Sequence, residues 1–134
     1  MFPFIGKQTT KALNDIEVTV QVIDFSDKRV LFIKRNGEVD TTFDVKAPDS
    51  HTFYELKTLG EPLSDFICDK KCLIGNSTDL RLSILVNHLA KLLYTLNETR
   101  NLIITISSRL FDSKGSDNDL DIILGVLSVV KNVI

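Results

Sequence analysis

At 134 residues the chain is of a size that folds as one domain, and 43% apolar with 25% charged residues excludes a disordered or low-complexity class. A net charge of −2 and a pI near 5.6 leave no general positive field for a phosphate backbone, so the doublets Lys28-Arg29, Lys34-Arg35 and Lys70-Lys71 are read as solvated faces and no nucleic-acid partner is expected. No stretch supplies the roughly 20 apolar residues of a membrane span, and Met1–Lys7 lacks the basic-then-apolar order of a secretory signal, so the expectation is a cytosolic or nuclear protein without a membrane partner.

In chain order, residues 7–13 read as a short strand or a frayed helix. Val18, Val20 and Val22 alternate with Thr19 and Gln21, and Ile23 and Phe25 then shift the apolar phase, which predicts a strand carrying a bulge. Val30-Leu-Phe-Ile33 is apolar at every position, the pattern of a strand covered on both faces. Asn36-Gly37 supplies the two residues that tolerate positive φ in a tight hairpin, which leads to a strand over Val39–Lys46 and a meander. Residues 47–66, with Ala47-Pro-Asp-Ser50, Gly60 and Pro62, read mainly as a surface loop. Lys57, Glu61 and Asp65 are its candidate partner contacts.

Lys71-Cys-Leu-Ile-Gly75 is a further strand, and a Gly-Asn-Ser-Thr-Asp turn follows it. From Thr78 to Asn97 seven leucines and valines fall within an arc of roughly 120°, the width of a helix laid once on a core. Ser77 or Thr78 caps its start, with Asp79 in the first turn favoured by the helix dipole. Leu102–Ser107 is the next strand. The last segment, from about Ser116 to Ile134, is a helix whose apolar stripe spreads over roughly 220°. Two readings fit so wide a stripe: a helix sandwiched within its own domain, or one whose uncovered side meets another subunit through Ile122, Val126, Val129 and Val133.

Few residues offer chemistry. The only soft metal ligands are Cys68, Cys72, His51 and His88, and the histidines are neither paired with each other nor spaced from the cysteines as zinc requires, so no metal is expected. Cys68-Asp-Lys-Lys-Cys72 has the wrong spacing for a dithiol redox motif and reads as two packed thiols on one side of a strand. Asp117–Asp121 lacks the glycine and terminal glutamate of a calcium loop, and Gly75–Asp79 lacks the second glycine and lysine of a phosphate loop. Asn76 and Asn97 sit in glycosylation sequons that arise by chance in a chain without a secretory signal. No nucleophile stands in a recognisable catalytic setting, so no enzyme is expected and no cofactor either; a Cys68 nucleophile is the one catalytic alternative.

The order of elements resembles the proteasome assembly chaperone 3 family. The likeness runs from Phe4–Gln8 through Val18–Val22, Arg29–Ile33 and Val39–Val45, and is clearest from Lys71–Gly75 through Asn87-His-Leu-Ala90 to Leu102–Ile106. Residues 47–66 depart from the family pattern, so no family contact is carried over to them. The resemblance implies an α+β domain, an antiparallel sheet of about six strands with two main helices packed on it. It also implies a non-catalytic chaperone independent of ATP and metal. Such a protein pairs with a second, related assembly chaperone, acts on the α-subunit ring of the 20S proteasome and leaves as β subunits assemble. A small dimeric scaffold of trafficking or signalling complexes is the competing reading of the same architecture.

Overall fold

The structure is a computed structural model that describes residues 7–13, 16–58, 67–75, 78–96, 98–111 and 119–134. Strands β1 (Lys7–Leu13), β2 (Ile16–Asp24), β3 (Lys28–Arg35) and β4 (Thr41–Lys46) come first, followed by helix α1 (Ser50–Thr58), β5 (Asp69–Ile74), α2 (Leu80–Thr95), β6 (Asn101–Ile106), a 3-10 turn at Ser108–Phe111 and α3 (Asp119–Val133). The six strands form one sheet in the order β1-β2-β3-β6-β4-β5. All neighbours are antiparallel except β3 and β6, which run parallel at its centre.

The centre of the sheet departs from the expected meander. Asn36 (φ 51°) and Gly37 (φ 82°) do form the tight turn, closed by two backbone bonds between Arg35 and Glu38. The chain then separates from β3, and β6 occupies the place beside it: Leu31 pairs with Ile104 on one side, and Ile104 with Phe43 on the other. A turn is decided by two residues, whereas the neighbour of a strand is decided by which strand buries the most apolar surface there. Leu102-Ile-Ile-Thr-Ile106 is the stronger claimant, with Leu102, Ile104 and Ile106 fully buried.

Register is continuous along β2, so the phase shift at Ile23 is a side chain on the opposite face and the expected bulge is absent there. The irregularity lies instead between Thr42 and Phe43, where β4 meets β5. Gly75, at φ 99°, ends β5 hard against β4; a Cβ on it would sit 2.6 Å from the Thr41 hydroxyl oxygen and 2.9 Å from the Asp40 carbonyl oxygen.

One face of the sheet carries the core. Val18, Val20 and Val22 of β2, Leu31 and Ile33 of β3, Phe43 and Val45 of β4 and the three buried residues of β6 meet Leu82, Leu85, Val86, Leu89 and Leu93 of α2, together with the inner side of α3. The α2 cap is Asp79 itself, whose carboxylate accepts from the backbone N–H groups of Arg81 and Leu82, one position later than expected. Where a loop was expected within residues 47–66, Ser50–Thr58 forms α1 and packs on α2, with Leu56 fully buried and the Phe53 ring edge-on to Tyr94 at 6.0 Å. Asp49 starts this helix by accepting from the backbone N–H of Thr52.

A charged knot ties the connection after α2 to the β2–β3 turn. Glu98 is 5% exposed. It accepts from the Arg100 side chain, from the backbone N–H groups of Thr99 and Arg100, and from Arg29. Arg100 also donates to Asp24 and to the Phe25 carbonyl. The Tyr94 hydroxyl donates to the carbonyl of Arg100 from beneath.

Candidate partner-binding surfaces

The period-2 alternation of strands sends every second residue away from the helices. On that side lie Ile23 of β2, Val30 and Phe32 of β3 and Ile103 of β6, placed next to one another by the pairs Ile23–Val30 and Val30–Ile103. Threonines continue the face: Thr105 pairs with Phe32 and with Thr42, and the Thr42 and Thr105 hydroxyls are 3.2 Å apart. These apolar residues and threonines are all partly buried, whereas Val22, Leu31, Ile33, Leu102, Ile104 and Ile106 beside them in sequence are almost wholly buried. The Lys34 ammonium stands over the Phe32 ring, 5.9 Å from its centroid. Among the described residues no helix covers this face.

Val30–Ile33 thus has its two-faced apolar pattern but only one covered side. Leu31 and Ile33 enter the core; Val30 and Phe32 do not.

The four α3 residues offered as partner contacts lie elsewhere than expected. Ile122, Val126, Val129 and Val133 are 0–4% exposed and belong to the core, where α3 packs on β1, β2 and α2. The wide stripe of α3 is therefore met within the domain, and these side chains present no surface to a partner. What α3 leaves outside is Leu120 and Leu124, both more than half exposed. Of the other three candidates, Lys57 falls in the last turn of α1, while Glu61 and Asp65 lie outside the described residues.

Two further surfaces come from the fold. Between α2 and α3 runs a groove of about 430 Å³ with leucines along it and Lys91 and Lys131 beside them. At the sheet's edge, Ile67, Leu73 and Ile74 on and before β5 are 50–78% exposed. Leucines at helical spacing on α3 were legible in the sequence; which of them would stay exposed, and that α2 would stand beside them, was not.

Cys68 stands just before β5 rather than within it and is in the core, while Cys72 lies in the strand, partly buried against the core, both as free thiols. Burial pushes the Cys68 thiol above its usual range, with only partial relief from the Lys70 charge, which leaves it protonated and poorly nucleophilic. Its backbone N–H donates to Asn87. His51 pairs with Glu55 on α1, and His88 lines the α2–α3 groove. Among the described residues no three His, Cys, Asp or Glu side chains converge as metal ligands, and no helix is long and apolar enough to cross a membrane.

The family model described as 20S proteasome chaperone assembly proteins 3 and 4 matches residues 5–131. Among solved structures, a chain from the crystal structure of a novel chaperone complex for yeast 20S proteasome assembly superposes with a TM-score of 0.71 at 24% identity. That match covers 97% of this chain and 98% of the other. No curated protein sequence matches.

Proposed function

Because the chain belongs to the family of 20S proteasome chaperone assembly proteins 3 and 4, we propose that it acts as one half of a chaperone pair. In this reading it lays the open face of its sheet on that of a related partner, and the pair holds proteasome α subunits in order. The observation that carries the pairing is the face built from Ile23, Val30, Phe32 and Ile103, apolar and adjacent yet covered by no described helix. Six strands of this length present a face of roughly 20 by 24 Å. With side-chain relief, that is on the scale of the ~800 Å² per partner that specific interfaces bury. A partner sheet there would give β3 and β6 the second apolar neighbour their sequences ask for.

The work itself is binding. The pair discriminates among similar α subunits by differences in affinity, and it leaves when β subunits compete for the surface it covers. Neither step requires a covalent intermediate, a nucleotide or a metal. The buried, protonated Cys68 supports a non-catalytic role.

The test is affinity capture of the tagged chain from its own cells, with Phe32→Glu and Ile103→Glu alongside. The unaltered chain is expected to bring down a second small chaperone together with proteasome α subunits. Both variants keep their melting temperature, since these side chains are outside the core, and lose the small chaperone. Recovery of trafficking components in place of proteasome subunits would remove the assembly role. Retention of the small chaperone by both variants would remove the open face as the pairing surface.

A further inference from the structure

On the side of the molecule away from the open sheet face, α2 and α3 each contribute one ridge to a groove. The α2 ridge is His88, Lys91, Leu92 and Thr95; the α3 ridge is Leu124, Leu127, Ser128 and Lys131. Both follow the spacing i, i+3, i+4, i+7, which on a helix is a single line about two turns, or ~10 Å, long. Two such lines make a trough, not a round pocket, and its ≈ 430 Å³ lies within the ~300–1,000 Å³ of sites that take a bound group. Leu92 and Leu127 are half-buried and Leu124 is 54% exposed, so the apolar surface in the trough is still in contact with water.

Its charge is one-sided. Lys91 and Lys131 are both in the lining, and among the described residues neither makes an ion pair and no acidic side chain lines the groove. In a chain with a net charge of −2 this is a local choice of sign. A trough with leucines along it and lysines beside them is complementary to an amphipathic segment with apolar residues on one face and carboxylates flanking them.

We propose that the α2–α3 groove is a docking site for an acidic amphipathic segment of a partner protein. The segment's apolar side chains enter between Leu92, Leu124 and Leu127, and its carboxylates meet Lys91 and Lys131. This site is separate from the pairing face and stands whether or not pairing occurs there.

The probe is an acetylated helical peptide with leucines on one face and glutamates beside them, titrated into the isotope-labelled full chain and followed by the leucine methyl signals. Those of Leu92, Leu124 and Leu127 are expected to move saturably, and binding to weaken as salt is raised. The double variant Lys91→Glu/Lys131→Glu, with melting temperature unchanged, loses at least about tenfold in affinity and gains binding to a second peptide in which lysines replace the glutamates. Lys91→Gln/Lys131→Gln weakens the first peptide without favouring the second. The proposal fails if both peptides bind the unaltered chain equally, if the shifts fall outside the groove, or if the glutamate peptide gives no saturable shift. It also fails if the groove signals move with protein concentration in the absence of peptide, which would assign the trough to a second copy of this chain.

Discussion

Glu98 stands almost out of water, three residues beyond the end of α2. Burial by itself would raise its carboxyl, but the hydrogen bonds from the Arg100 side chain and backbone, the Arg100 charge and the Thr99 N–H outweigh burial and hold it below its usual 4.5. A carboxyl lowered on folding contributes stability that is complete above the unfolded value and is lost as pH falls through the folded one. Acid unfolding of this domain is therefore expected to draw on Glu98 below about pH 4.5. Glu98→Gln should lower stability at neutral pH by about 1–3 kcal/mol and flatten the decline on the acid side. Denaturant melts across pH check both, and an unchanged acid limb would mean that the decline arises elsewhere. Nothing in Asn97-Glu-Thr-Arg100 announced this role: Arg29, which donates to Glu98, and Asp24 and Phe25, which accept from Arg100, are some seventy residues away in sequence, and no local pattern encodes a contact of that span.

Helix α3 shows how a pattern can be right about an element and silent about its surroundings. Its period was legible, as was its unusual width, but width alone cannot tell a helix enclosed by its own domain from one shared with a neighbour. Burial decides for the enclosed helix. Ile122→Ala should cost about 2–4 kcal/mol, as for a core methyl deletion, whereas Leu124→Ala, on the outside, should stay within about 0.5 kcal/mol. Thermal or urea melts of the two purified variants check this, and comparable losses for both would contradict the orientation of α3. Helix α1 was missed for the opposite reason: Gly60 and Pro62 drew the whole of residues 47–66 toward loop. The signal that could have found it is Asp49 as a cap followed by Phe53 and Leu56 at helical spacing. For the proposed pairing face the clue was present and unspent, since Val30–Ile33 asked for cover on two sides and the described helices supply one. The α2–α3 groove had no such clue, because it exists only once two helices far apart in sequence lie side by side.

For the whole molecule, the sheet order sets a gradient of protection. Strands β3 and β6 are paired on both sides over the core, while β5 is an edge with exposed side chains. Hydrogen exchange of the isolated chain is expected to be slowest in β3 and β6 and fastest in β5; a β5 as protected as the centre would mean that this edge is already covered. The parallel β3–β6 pair also bears on how the chain comes into being. A ribosome delivers β3 long before β6, at about 5–20 residues per second, so the nascent sheet waits for several seconds with its middle missing and β3 as a bare apolar edge. Pairing across so long a separation is slow to close. A protein whose work lies in the assembly of others thus passes through an interval in which its own half-made sheet exposes apolar residues that the finished domain buries.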